Sequence, residues 1–210
     1  MTKVKICGLS RVEDIIAVNS AKPDFIGFVF APSRRRVELK TAAMLKERLD
    51  AQIKAVGVFV NEEIEIIADL CRNGIIDMIQ LHGDEDAETV MRLKELCGCP
   101  VIKAIGVGSE LPALPDVPDY LLFDTLSEQR GGTGKTFDWS VLNRDSGLPY
   151  FLAGGLTLAN VTEAITLLSP YCVDVSGGVE TDGLKDSEKI EEFVILVKNH
   201  PYEASVHSRS

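Results

Sequence analysis

The chain has 210 residues, 45% of them apolar, enough for one large core and near the lower end of the size range of eightfold strand–helix barrels. With 22 Lys and Arg against 32 Asp and Glu the net charge is −10, which argues against a broad nucleic-acid or anionic-membrane surface and requires any anionic ligand to be held by local charge. No apolar run approaches the ~20 residues of a membrane span, and the opening Met1, Thr2, Lys3 lacks a signal-peptide core, so a cytoplasmic protein is expected.

In chain order, short apolar runs occur at residues 4–7, 25–30, 53–60, 78–81, 101–105, 120–123, 150–152 and 172–175. Several are continuously apolar, as strands buried on both faces of a parallel sheet must be. Between them lie stripes at helical spacing: Ile64, Ile67, Ala68, Cys71; then Val161, Ala164, Ile165, Leu168; then Ile190, Phe193, Val194, Val197. Ser10 with Glu13 fits a capping box, and Asn61, Asp84 and Thr157 are expected to cap later helices. Residues 106–118, with three Pro, hold little helix, and residues 126–137 form a polar, Gly-rich loop. The pattern predicts a single-domain α/β fold, a (β/α)8 barrel over residues 1–200 with irregular fifth and sixth connections, followed by a polar tail at 201–210.

Cysteines stand at 7, 71, 97, 99 and 172, an odd number that reads as reduced thiols; the Cys97-x-Cys99 pair has no second pair at metal-ligand spacing. Cys71 falls on an apolar stripe and is expected in the core. Cys7 differs, because it ends the first strand, where barrel enzymes keep their chemistry. A helix opening near Ser10 is expected to lower its pKa and make it a nucleophile or a base. Asp124 ends the sixth strand after an apolar run, surroundings that suit a proton donor, although a turn-capping role is also open.

The run Arg34, Arg35, Arg36 follows the second strand and is either a solvated patch or a guanidinium fork for a carboxylate or phosphate. His82 either lines the mouth or is a satisfied structural histidine. Gly154 and Gly155 after the seventh strand, and Ser176, Gly177 and Gly178 after the eighth, stand where barrels bind phosphate, with a short helix after Gly178 expected to add its positive end. Amide donors of this kind let an acidic protein bind phosphate without a basic surface. The segment Gly131, Gly132, Thr133, Gly134, Lys135, Thr136 is not a Walker loop, since Gln129 stands where that motif requires Gly; a mobile cover for the mouth fits it better.

Taken together, VKICGL, GFVF with Ser-x-Arg-x-Val, VGVFVN, QLHG, LLFDT, GGTGKTFDW, AGGL and VDVSGGVE resemble the phosphoribosylanthranilate isomerase family of tryptophan biosynthesis, over residues 3 to about 197. The resemblance implies an eightfold barrel and an Amadori rearrangement of N-(5-phosphoribosyl)anthranilate, with no metal or organic cofactor. It implies Cys7 as general base, Asp124 as general acid, Arg35 for the anthranilate carboxylate with Arg36 beside it, and Gly154, Gly155, Ser176 and Gly177 for the phosphate. AGGL replaces the more usual SGGL and SGGVE the more usual SSGVE, which removes a hydroxyl at each turn and leaves the backbone donors. Asp174 matches the family pattern too, with a turn hydrogen bond as its expected role. A histidine-biosynthesis barrel isomerase is the related alternative, but that family uses two Asp where this chain has Cys7; a non-catalytic phosphate-ligand barrel is the alternative from another class. The expected partner is a small phosphorylated sugar–anthranilate, and the expected assembly is a monomer or homodimer.

Overall fold

Strands of three to seven residues are too short to cover a helix's apolar face and long enough to pair, and eight of them do. The computed structural model describes residues 1–126, 137–142 and 146–201. β1 (Lys3–Cys7), β2 (Phe25–Val29), β3 (Lys54–Phe59), β4 (Met78–Leu81), β5 (Val101–Val107), β6 (Tyr120–Thr125), β7 (Tyr150–Leu152) and β8 (Cys172–Val175) pair in parallel and in sequence order, and β8 closes on β1. The predicted runs match these strands to within two residues at each end. Outside the barrel lie α1 (Val12–Ala21), α2 (Leu39–Arg48), α3 (Ile64–Arg72), α4 (Ala87–Cys97), α5 (Val161–Leu168) and α6 (Ser187–Lys198). The two irregular connections are as expected: residues 108–119 contain no helix, and the described part of the β6–β7 connection holds only a 3-10 turn at Trp139–Leu142. The segment 131–136 expected as a mobile cover and the tail from residue 202 lie outside the described residues. A small antiparallel hairpin, β9 (Glu180–Thr181) and β10 (Leu184–Lys185), precedes α6.

The period of two along a strand sorts the side chains. Phe25, Val56, Met78, Leu122, Phe151 and Cys172 form one apolar cluster inside the barrel. Two residues further along five of these strands, on the same face, stand Val58, Gln80, Asp124, Ala153 and Asp174, all of which line the cavity at the carboxyl ends. The interior apolar layer is thus the floor of the site. The opposite faces meet the inward stripes of the helices: Ile67 and Ala68 of α3, Val161, Ala164 and Ile165 of α5, and Ile190, Phe193, Val194 and Val197 of α6 are all buried. Each large side chain among them contributes about 1.5–3 kcal/mol on burial. Cys71, expected in the core, is only partly buried.

At the amino-terminal end one device recurs three times. Asp24, Asp77 and Asp119 each stand just before an even-numbered strand and accept the N–H of Val4, Ala55 and Val101 on the preceding odd-numbered strand, at 3.0, 2.7 and 2.8 Å. These bonds satisfy N–H groups at or next to the start of each strand and tie neighbouring strands together.

Helix starts fall one to three residues beyond the expected caps. Ser10 and Glu13 form no capping box; the Ser10 and Arg11 N–H groups donate instead to the buried Asp14, and α1 starts after Arg11. Glu63, not Asn61, precedes α3, while Asn61 adopts a left-handed φ of 51° and its Oδ1 accepts from the Asp84 N–H at 2.8 Å, joining two loops. Asp86, not Asp84, caps α4 through the Thr89 N–H at 2.9 Å. Thr157 begins a turn that delays α5 to the residue after Asn160. In each case the loop spends extra residues on the mouth before the helix turns back along the sheet.

Candidate active site

The carboxyl ends of the strands enclose a cavity of about 770 Å³. Eight of the sequence candidates line it together: Cys7, Arg35, His82, Asp124, Gly154, Gly155, Ser176 and Gly177. Arg36 does not. After Ser33 the chain turns, with the Arg36 N–H on the Ser33 carbonyl at 3.2 Å, and Val37 rejoins β2 through the Val29 carbonyl at 2.8 Å. That geometry leaves Arg35 on the cavity side and directs Arg36 outward, half-exposed, its Nε 3.8 Å from Glu38 Oε1.

Cys7 is the last residue of β1, and its thiol lies against Gly27 of β2; a Cβ at Gly27 would stand 2.6 Å from Sγ, so only glycine leaves room for the sulfur. Burial pushes the Cys7 thiol up from its ordinary pKa, against the pull of the Lys5 and Lys185 cations. The lowering expected from a helix start at Ser10 is not found, because the Ser10 and Arg11 amides are committed to Asp14.

Lys5, two residues before Cys7 on the same strand face, is fully buried. Its Nζ donates to Asp174 Oδ2 at 2.8 Å. Burial opposes the charge on Lys5, but Asp174 and the Cys7 thiol outweigh it and hold the ammonium charged. Asp174 therefore makes an ion pair inside β8, where a turn hydrogen bond was expected. Its Oδ1 is buried and, among the described residues, without a hydrogen-bond partner.

Across the mouth, Asp124 Oδ1 accepts the Thr125 N–H at 2.8 Å, and Oδ2 lies 3.4 Å from His82 Nε2. His82 Nδ1 meets the Gln80 side-chain amide nitrogen at 2.9 Å. With that amide donating, Nδ1 is the acceptor and Nε2 carries the proton toward Asp124, an assignment made from the bonding pattern. Gln80 Oε1, buried like Asp174 Oδ1, has no partner among the described residues.

Of the two Gly-containing turns, the first depends on its glycines for its backbone conformation. Gly154 has φ +84° and packs so closely that a Cβ would stand 2.4 Å from Thr125 Oγ1 and 3.1 Å from Asp124 Oδ1. Ser176 Oγ donates to the Cys7 carbonyl at 2.9 Å, so this hydroxyl joins β8 to β1. The expected short helix after Gly178 is a single 3-10 turn, Gly177–Val179, that leads into the β9–β10 hairpin.

The family model for N-(5'phosphoribosyl)anthranilate (PRA) isomerase matches residues 4–195. The chain belongs to this family. It is 48% identical over 200 residues to the N-(5'-phosphoribosyl)anthranilate isomerase of Endomicrobium trichonymphae, covering 95% of this chain and all of that one. The crystal structure of phosphoribosyl anthranilate isomerase from Thermotoga maritima superimposes with a TM-score of 0.82 at 37% identity, covering 94% of this chain and 99% of that one. A phosphoribosyl anthranilate isomerase in complex with reduced 1-(o-carboxyphenylamino)-1-deoxyribulose 5-phosphate superimposes with a TM-score of 0.79 at 35% identity, with 94% and 99% covered.

Within this PRA isomerase family member, Lys5, Gln80, Glu180 and Lys185 were not singled out from the sequence. Lys5 and Gln80 carried a usable signal, since each stands two residues before a candidate on the same strand face. Glu180 carried one as well, since it closes the VDVSGGVE motif; Lys185 carried none, because a two-residue strand has no readable period.

Proposed function

We propose that the protein converts N-(5'-phosphoribosyl)anthranilate to 1-(o-carboxyphenylamino)-1-deoxyribulose 5-phosphate by general acid–base catalysis. The observation that carries this reading is the convergence of Cys7, Asp124, Arg35 and two Gly turns on one cavity of a PRA isomerase barrel.

In this reading Arg35 takes the anthranilate carboxylate, and backbone amides at Gly154, Gly155 and Gly177 take the phosphate, which suspends the sugar between Cys7 and Asp124. Asp124 in its acid form gives its proton to the furanose ring oxygen as the C1–O bond breaks, and the nitrogen lone pair forms the C1=N bond. The His82 Nε2–H then faces the new carboxylate. The Cys7 thiolate removes the proton from C2, and the electron pair moves through C1 to neutralise the nitrogen, giving an enolamine. Tautomerisation yields the ketone. The thiol serves as a base, and no covalent bond to sulfur forms.

The reading assigns the protein to the cytoplasm, as a monomer or homodimer acting on a small molecule; among the described residues no helix is long and apolar enough to cross a membrane. The deciding experiment adds purified protein to freshly made phosphoribosylanthranilate and follows its fluorescence. A protein-dependent loss of signal that Cys7→Ala and Asp124→Asn each reduce by ~100- to 10,000-fold supports the assignment. No turnover by the unmodified protein would overturn it.

A further inference from the structure

Arg35 does not stand alone in the cavity. Its Nε and Nη2 donate to Glu180 Oε1 and Oε2 at 2.7 and 3.0 Å, a bidentate pair along one edge of the guanidinium. Among the described residues its Nη1 has no hydrogen-bonding or ionic partner. A guanidinium has a second bidentate edge, formed by Nη1 and Nη2, of the same fit to a carboxylate. Arg34 Nη2 also reaches Glu180 Oε2, at 2.6 Å, from the solvent side.

Glu180 is in turn fixed from below. Lys185, its register partner on β10, is almost fully buried and donates to Glu180 Oε1 at 2.7 Å and to the Ser176 carbonyl at 2.9 Å. Ser176 Oγ donates to the Cys7 carbonyl. Burial disfavours the Glu180 charge, yet the bonds from Arg35 and Lys185 hold its carboxyl at about 2. The acid is therefore a fixed anion. Three cations meet this one carboxylate, which leaves local positive charge at the mouth of a protein of net charge −10.

We propose that Glu180 is the positioning residue of the carboxylate subsite: it grips Arg35 by the Nε/Nη2 edge so that the Nη1/Nη2 edge is presented to the carboxylate of the substrate. The inference rests on the reading of Arg35 as the carboxylate-binding group. A free arginine carries about 2 kcal/mol of rotamer entropy, and gripping one edge in advance removes most of that cost from binding. The grip also joins the subsite to the strand that carries the base, through Lys185, Ser176 and the Cys7 carbonyl, so the β9–β10 hairpin fixes Arg35 relative to Cys7.

The test compares two ligands, reduced 1-(o-carboxyphenylamino)-1-deoxyribulose 5-phosphate and its counterpart lacking the carboxyl group, on the unmodified protein, Arg35→Met and Glu180→Gln. The expected result is that Glu180→Gln weakens the carboxylated ligand about tenfold or more, leaves the other within about twofold, and raises KM far more than it lowers kcat. Glu180→Asp, which keeps the charge on a shorter stem, falls between, and serves as the readout if Glu180→Gln does not fold. Arg35→Met is expected to abolish the preference for the carboxylated ligand. If it does so while the Glu180 variants keep that preference or bind the ligand more tightly, the positioning role is overturned and the Arg35 reading stands. If the preference survives in Arg35→Met, the Arg35 reading falls and takes the proposal with it.

Discussion

Lys5 and Asp174 are register partners across the seam where β1 meets β8, and their side chains form a buried ion pair of 2.8 Å inside the barrel. The seam is the one place where the first and last strands must find each other, so the pair sits at the contact that closes the sheet. Its charges are both almost wholly removed from solvent.

Such a pair is costly to break and less costly to replace. Lys5→Met leaves Asp174 buried without its cation and is expected to lose about 3–5 kcal/mol, and Asp174→Leu a similar amount by stranding Lys5. The double variant, with no charge left unpaired, is expected to recover much of that loss. Urea denaturation of the three variants measures this; a double variant at the sum of the two single losses would show that the ion pair is not the coupled unit.

The contact between Gly27 and Cys7 predicts a catalytic loss from a single methyl group. At Gly27→Ala the new Cβ would stand 2.6 Å from Sγ and 3.1 Å from the Cys7 Cα, so the thiol must move. A displacement of about 1 Å at a reacting group can cost ~100-fold. The expected outcome is a fall in kcat of that order with KM little changed and a melting temperature lowered by an overpacking cost of about 1–3 kcal/mol, and retention of normal kcat would remove Cys7 Sγ from the reaction.

The pH dependence follows from the direction of the Cys7 shift. In the proposed reaction the base is the Cys7 thiolate, and burial raises the thiol's pKa, so at neutral pH only a small fraction of free enzyme carries it. Asp124 must keep its proton in the same reaction, so the thiol is read directly: the ultraviolet absorbance of the thiolate, taken as the difference from Cys7→Ala, is expected to develop only above the ordinary thiol range. Removing a cation that pulls the other way, as in Lys185→Met, should move that titration to still higher pH. A thiolate signal already complete at pH 7 would contradict this assignment.

The barrel was legible because parallel strands buried on both faces leave short continuous apolar runs, and all eight are there in the sequence. Cys7, His82 and Asp124 were legible for a related reason: a polar residue that follows such a run points into the mouth. The helix caps were not, since a Ser, Asn, Asp or Thr near a helix start reads alike whether it caps the helix or ties one loop to another, as Asn61 does with Asp84. The direction of the Cys7 shift was also hidden, because Asp14 captures the amides of Ser10 and Arg11, and the burial that raises the thiol comes only with the closed sheet. Asp174 read as a turn residue because its partner lies 169 positions away.

Glu180 gives the last prediction, on acid stability. Its carboxyl is held at about 2 in the folded protein against 4.5 for the unperturbed group, so folding stabilises the anion. For a depressed carboxyl the contribution is fully present above the unfolded value and disappears as pH falls through the folded one. Between about pH 5 and pH 2 the protein should therefore lose on the order of 3 kcal/mol from this group alone. Glu180→Gln cannot titrate there. Its unfolding free energy is expected to be lower than that of the unmodified protein at pH 7, and to fall less steeply on acidification, the two curves converging near pH 2. Denaturant midpoints measured at half-unit steps decide the matter, and parallel curves across that window would mean that the carboxylate held by Arg35 and Lys185 contributes nothing to the acid limb.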